Sequence, residues 1–361
     1  MTHVSDAKPA SGVFMIGSIS LTQLGRSPFS GNNFRLKNGK HAALAALASN
    51  IDRPSHFGHD RARSESIAAD CQMPSLTVGD WILLDGDGRF RRALDRQSLF
   101  SRKASGSKVA EQLIAANIDT VFVVSSLNHD FNLNRIERYL ALASHAGVEP
   151  VVVLTKADGC DDPHAFVRQV QSLNGLLMVE AVNALSSTST KALESWCGIG
   201  KTLAFLGSSG VGKSTLINTL LGQATQATAA IRVDDSKGRH TTTARSLHFI
   251  PTGAILLDTP GMRELQLADC AQGVNETFAD ISDLAGQCRF TDCQHQDEPG
   301  CTVQAAVRSG RLDERRLANY RKLMREQALN SVSLAEKRAR DRSLGRYYRS
   351  VQAEVRQRKK R

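Results

Sequence analysis

Residues 207–215 read GSSGVGKST, that is Gly207, Ser208, Ser209, Gly210, Val211, Gly212, Lys213, Ser214 and Thr215, a complete Gly-x4-Gly-Lys-Ser/Thr phosphate-binding pattern. The five residues before it, TLAFL, form an apolar run suited to a short buried strand. Leu216, Ile217, Leu220 and Leu221 after it recur at helical spacing. In a strand, glycine loop and helix taken in that order, backbone N–H groups close around the β- and γ-phosphates of a nucleotide. Lys213 adds a positive charge there, and the Ser214 hydroxyl can ligate Mg²⁺. An ordinary glycine-rich turn would need neither the strand nor the helix.

Two more nucleotide signals flank the loop. Downstream, the apolar run 254–257 leads into Asp258-Thr259-Pro260-Gly261. Asp258 would hold Mg²⁺ through water and the Gly261 N–H would sense the γ-phosphate. Between loop and run lies GRHTTT, residues 238–243, one of whose threonines is placed to cover Mg²⁺; Thr242 is assigned that part. Upstream, the run 151–154 precedes Thr155-Lys156-Ala157-Asp158. Asp158 can accept two hydrogen bonds from guanine N1–H and the N2 amino group. Adenine lacks that donor pair, so a carboxylate left unpaired disfavours it by about 1–3 kcal/mol. Lys156 would lie along the base plane. Thr155 stands where Asn is usual, and its single hydroxyl predicts looser bracing to the phosphate loop. A further base contact is expected near Val179-Glu180-Ala181, with Glu180 in place of the usual Ser.

The guanine signature precedes the phosphate loop, the reverse of the ordinary GTPase order. With this order, Ala115-Ala116-Asn117-Ile118-Asp119, the run DFNLNRIERYL at 130–140, TKAD, GSSGVGKST, GRHTTT, DTPGMREL from Asp258 and a following cysteine cluster, the chain resembles the RsgA (YjeQ/YloQ) family of circularly permuted GTPases. The matching text spans residues 95–305. The resemblance implies an N-terminal OB-like β-barrel, a permuted P-loop GTPase domain built on a doubly wound α/β sheet, and a C-terminal zinc-binding, largely helical domain. The boundaries expected are 1–100, 101–275 and 276–361. It further implies GTP hydrolysis to GDP and phosphate in late maturation of the 30S small ribosomal subunit, with 16S rRNA as a partner.

The middle of the chain alternates strands and helices. Strands are expected at 120–124, 151–154, 176–179, 202–206, 246–250 and 254–257. Leu133, Ile136, Leu140 and Ala143 make one helical stripe that Gly147 closes. The barrel is less visible in the residues themselves: 78–85 reads as a turn and strand, but 34–70 shows little alternation. Arg91, Arg92, Arg102 and Lys103 near its exit are candidates to face rRNA, or plain linker arginines.

At 361 residues with 41% hydrophobic content, the chain can bury more than one core. No apolar run approaches the roughly 20 residues a bilayer requires, and residues 1–21 lack the pattern of a signal peptide. A cytoplasmic monomer without a membrane partner is the expectation. Three of the seven cysteines cluster as Cys288-x4-Cys293-x-His295-x5-Cys301. Three thiolates and an imidazole fill a tetrahedral Zn²⁺ shell and leave no open position, so the site predicted is structural, with one zinc per chain. It would staple a small core expected around Leu284, Phe290 and Val303.

Charge is concentrated at the C-terminus. From residue 336 onward eleven Lys/Arg face three acids, which is +8 of the chain's +10. A solvated helix is one reading. A cationic arm that gains affinity for nucleic acid by counterion release is the other, with Tyr347 and Tyr348 available to stack on unpaired bases.

Met262 follows Gly261 where many GTPases carry the glutamine that orients the attacking water. The resemblance points instead to His240 as the catalytic group beside Lys213, a structural loop histidine being the alternative. Two other classes compete with a GTPase. A small-molecule kinase would need an acceptor-binding segment, which is not visible. A nucleotide-regulated RNA-binding assembly factor with incidental turnover stays open.

Overall fold

The computed structural model describes residues 12–15, 42–46, 63–67, 74–84, 90–103, 111–222, 246–258, 262, 265, 267 and 270–331. In chain order the elements are β1 (Gly12–Met15), β2 (Ala42–Ala46), β3 (Arg63–Ile67), β4 (Trp81–Leu84), β5 (Phe90–Ala93), β6 (Leu99–Lys103), β7 (Glu111–Ala116), β8 (Thr120–Ser126), α1 (Leu133–Ala146), β9 (Glu149–Thr155), α2 (Pro163–Gln171), β10 (Met178–Val182), α3 (Ser187–Thr190), β11 (Thr202–Leu206), α4 (Lys213–Leu221), β12 (Ser246–Phe249), β13 (Ile255–Asp258), α5 (Ala271–Thr277), α6 (Ala279–Ala285), α7 (Thr302–Arg308) and α8 (Glu314–Ser331).

The apolar runs of the middle region assemble into one sheet of order β10-β9-β8-β11-β13-β12. Five strands run parallel and β12 pairs antiparallel to β13 at one edge. Every residue of β8 and β11 is buried, as expected of central parallel strands covered on both faces. Their side chains alternate between two cores. Val121, Val123, Ala204 and Leu206 join Ile136, Leu140 and Ala143 of α1 on one face. Phe122, Val124, Leu203 and Phe205 join Leu216, Ile217 and Leu220 of α4 on the other. This is a doubly wound arrangement, with ligand loops gathered at the carboxyl ends of the strands.

Helix α1 starts where the Asn132 side chain accepts from the Arg135 N–H at 3.2 Å, and ends at Gly147 in the left-handed region. Helix α5 crosses it closely. A Cβ on Gly273 would lie 2.4 Å from the Ala141 carbonyl oxygen, so only glycine fits that crossing.

The strands before β8 pair antiparallel, β1-β4-β5 in one group, β2-β3 and β6-β7 in two others. The AANID segment joins them to the main sheet. Asn117 donates to the Gly79 carbonyl at 2.9 Å and accepts from the Gln97 N–H at 2.9 Å, while Asp119 accepts from the Thr202 N–H at the foot of β11 at 2.9 Å.

Two expectations need correction. The strand expected at 176–179 is β10, which begins at Met178 and runs to Val182; Leu176 is 90% exposed before it. Phe290 is exposed beneath the Arg289 guanidinium, not in the C-terminal core, whereas Val303 is fully buried and Leu284 packs against the core. Among the described residues no helix is long and apolar enough to cross a membrane.

Candidate nucleotide site and metal cluster

The phosphate loop occupies residues 207–212 between β11 and α4. Gly207, Gly210 and Gly212 all have positive φ. At Gly207 the requirement is also steric, since a Cβ would sit 2.4 Å from the Val124 carbonyl oxygen of the neighbouring strand. Lys213, at the first turn of α4, is buried, and its Nζ donates to the carbonyls of Gly207 (2.7 Å) and Ser208. The ammonium is thereby held within the loop. Ser209 and Gly210 are exposed at its tip, and Ser214 and Thr215, half-buried, begin α4.

The loop is held from two sides. Thr155, fully buried at the end of β9, donates from its hydroxyl to the Val211 carbonyl at 2.5 Å. The looser bracing expected of this threonine is therefore not what the fold shows. Arg135 in the first turn of α1 donates to Ser208 Oγ at 2.8 Å while the same guanidinium nitrogen holds the Asp130 carboxylate at 2.8 Å. This second brace comes from the DFNLNRIERYL run.

Beyond Thr155 the chain turns through Lys156, in the left-handed region at φ 62°, into a single 3-10 turn, Ala157–Gly159. Asp158 is exposed there, so its carboxylate is open to a base. Val179, Glu180 and Ala181, near which a further base contact is expected, are inside β10, level with Val152, Val153 and Leu154. Burial raises the Glu180 carboxyl above its usual range. The strand ends with Val182 level with Thr155, and the turn beside TKAD is therefore Asn183-Ala184-Leu185. Asn183 Oδ1 accepts from the Leu185 N–H at 2.9 Å, and Thr219 of α4 donates to the Ala184 carbonyl at 2.6 Å.

Strand β13 lies parallel beside β11, which brings Asp258, half-buried at its end, to the phosphate-loop side of the sheet. Met262 is buried in the core with Leu265 and Leu267, so its thioether is a packing group. His240, Thr242 and Gly261 lie outside the described residues, as does the basic tail.

In the C-terminal helical region the ligand atoms of Cys288, Cys293, His295 and Cys301 all lie within 4.8 Å of one another. Cys288 Sγ is 3.9 Å from Cys301 Sγ, and His295 Nδ1 is 3.6 Å from both sulfurs. A tetrahedron with Zn–S near 2.3 Å and Zn–N near 2.0 Å has edges of about 3.8 Å (S···S) and about 3.5 Å (S···N), so this donor set fits that ion. The knuckle is shaped for it. His295 has φ 57°, and Glu298 accepts from the Gln294 and Gln296 N–H groups at 2.9 and 2.7 Å. Burial first, then the positive charge of Arg321, lowers the His295 pKa and favours the neutral imidazole a metal requires.

The two regions meet through α1 and α8. Glu137 of α1 is fully buried. It accepts from Arg315 at 3.0 and 3.2 Å, from Arg316 at 2.8 Å and from Asn319. Arg316 also holds Asp280 through two bonds of 2.8 Å and stacks on Phe278.

Comparison with known proteins gives one consistent result. The RsgA GTPase family model matches residues 93–268. A protein of Vibrio parahaemolyticus named small ribosomal subunit biogenesis GTPase RsgA 2 is 56% identical over 338 residues, 94% of each chain. The RsgA of Mesorhizobium japonicum is 45% identical over 318 residues, covering 87% of this chain and 92% of its own. Among solved structures, YjeQ from Thermotoga maritima superposes with a TM-score of 0.60 at 23% identity, over 88% of this chain and 98% of its own. YloQ, described as a circularly permuted GTPase, gives 0.56 at 18% identity, over 92% and 99%. At those identities the two structures speak for the permuted fold alone.

Proposed function

The chain belongs to the RsgA family of small ribosomal subunit biogenesis GTPases, and from that premise we propose that it binds GTP across the loops after β11 and β9 and hydrolyses it on the 30S subunit late in maturation. The observation that carries this reading is the bond from Thr155 to Val211, which fixes the guanine signature and the phosphate loop in one rigid frame.

In that frame the loop N–H groups of residues 207–215 surround the phosphates, and Lys213 supplies charge to the β- and γ-phosphates. Asp158 selects guanine, with Lys156 and Ala157 along the base. Ser214, Thr242 and Asp258 would hold Mg²⁺, which screens the phosphate charge when bound. Gly261 reports the γ-phosphate. Water attacks the γ-phosphate in line, and the preorganised donors stabilise the charge that develops. Met262 is buried and cannot orient that water, so His240 takes the part.

Strands β1 to β5 are read as part of an OB-like barrel over 1–100, the permuted GTPase domain as 101–275, and the remainder, 276–361, as a zinc domain with its basic tail. Cys288, Cys293, His295 and Cys301 would hold one structural Zn²⁺, whose chemistry is to cross-link the knuckle. The protein acts as a cytoplasmic monomer on 16S rRNA, without a membrane.

The buried Met262 also supports a second reading, an RNA-bound assembly factor whose turnover is incidental. Multiple-turnover phosphate release with and without 30S subunits separates the two. The GTPase reading expects strong 30S stimulation, its loss in Lys213→Ala, and a lower kcat with nearly unchanged GTP affinity in His240→Ala. Absence of stimulation favours the assembly factor, and a parental rate in His240→Ala returns that histidine to a structural part.

A further inference from the structure

Guanine presents three polar groups along one edge: the N2 amino group and N1–H, which donate, and O6, which accepts. An ionised Asp158 can only accept, so O6 requires a donor from another segment. A candidate lies in the turn after β10. There the Asn183 N–H donates to Ser189 Oγ at 2.9 Å, the Leu185 N–H to Asn183 Oδ1 at 2.9 Å and the Ser186 N–H to the Asn183 carbonyl at 3.0 Å. Among the described residues the Ala184 N–H meets no acceptor, although Ala184 is only 6% exposed. A buried backbone donor without a partner is rare in native proteins. Both peptide groups flanking Ala184 are held in place. The first, which contains the open N–H, is fixed by the bond from Ser186 to the Asn183 carbonyl. The second is held from α4, where the Thr219 hydroxyl donates to the Ala184 carbonyl at 2.6 Å. The Thr215 carbonyl one turn back, at 3.1 Å, is the more distant of that hydroxyl's two acceptors.

We propose that Thr219 is a specificity-determining positioning residue, which holds the turn after β10 so that the Ala184 N–H meets O6 of the base. This rests on the guanine reading of TKAD. Val182 is level with Thr155, so this turn and the TKAD turn leave adjacent strand ends. A planar peptide group turns as a unit, and a residue whose two flanking groups are both fixed cannot rotate its N–H away. Thr219 lies on the helix that begins with Lys213. Thr155 joins the TKAD segment to the same unit of loop and helix, at Val211. Both base-reading turns thus hang from the phosphate-binding element, which registers the base against the phosphates.

The test uses the full chain and its Thr219→Val and Thr219→Ser variants, with GDP and 6-thio-GDP competing against a fluorescent GDP analogue at neutral pH. 6-Thio-GDP keeps the N1–H and N2 amino group that Asp158 reads and replaces O6 by sulfur, a weaker acceptor. The parent should prefer GDP. Thr219→Val keeps the shape and deletes the donor, and should reduce that preference about fivefold, as expected for one hydrogen bond. Thr219→Ser, which keeps the hydroxyl, should retain it. An unchanged preference in Thr219→Val overturns the proposal even if both affinities fall together, since a merely structural threonine would weaken the two nucleotides equally. Equal loss of preference in the Val and Ser variants overturns it too and leaves only packing. Should Thr219→Val not fold, Thr219→Ala takes its place in the same assay and must show the reduced preference. A parent that binds ADP as well as GDP sinks the guanine reading, and the proposal with it. A parent that prefers GDP to ADP but does not distinguish 6-thio-GDP sinks only the assignment of Ala184 and Thr219.

Discussion

The hydroxyl of Thr155 lies 2.5 Å from the carbonyl oxygen of Val211, so the residue that opens the guanine signature spends its only proton on the phosphate loop. The Ser125 carbonyl, at 3.3 Å, is a weaker second contact. Both groups are buried, and removal of the donor leaves a carbonyl without its partner. Thr155→Val conserves shape and deletes the bond. At about 1–3 kcal/mol for a buried unpaired acceptor, affinity for GDP should fall roughly tenfold or more, measured by titration with a fluorescent analogue. An unchanged affinity would mean that the two loops are aligned by the sheet alone.

Asp158 tests base choice independently. It is exposed on its 3-10 turn, so Asp158→Asn should fold normally. The substitution exchanges a double acceptor for one donor and one acceptor. GTP should bind at least tenfold more weakly, by the value of a charge-assisted hydrogen-bond pair. Xanthosine triphosphate, with an acceptor oxygen at C2, should gain. A competition assay in which Asp158→Asn still prefers GTP would remove the guanine assignment.

Much of this site is legible in the sequence because its parts are local. β11, the loop and α4 lie together in 20 residues, and the apolar run TLAFL is buried at every position. Helix α1 is equally plain, with its stripe from Leu133 to Ala143 closed by Gly147. The start of β10 is not legible, because LLMVEAV is apolar on both sides of it and an edge strand has only one neighbour to define it. Arg135 and Glu137 are hidden for a different reason. A charged residue on a helix reads as solvated, and only the packing of α1 against the phosphate loop and α8 reveals these as buried or bonded.

Glu137 provides the sharpest case of that kind. Its carboxylate accepts four hydrogen bonds at full burial, from Arg315, Arg316 and Asn319. Removing one member of a buried charged cluster typically costs about 3–5 kcal/mol. Arg316 retains Asp280, so Glu137→Ala should lie near the lower end, at about 3 kcal/mol. Denaturant melts should show the loss as a separate, earlier transition of the C-terminal helices, while nucleotide still protects the sheet. A single unshifted transition would show that α1 and α8 are not coupled through this residue.

The basic tail is expected to serve ribosome binding. The described part of helix α8 spans Glu314–Ser331, so truncation after Leu334 leaves it, the cysteine cluster and the grip on Glu137 intact while removing +8 of charge. GTP affinity should hardly change. Affinity for 30S subunits should fall, and because cationic arms bind by releasing counterions, the slope of log K against log salt should become shallower. If stimulation of hydrolysis depends on docking, a higher 30S concentration restores it in the truncated chain. Equal affinities and equal salt slopes in the two forms would assign the tail to solvent, since a charge run that neutralises phosphates cannot be removed without reducing the number of ions released.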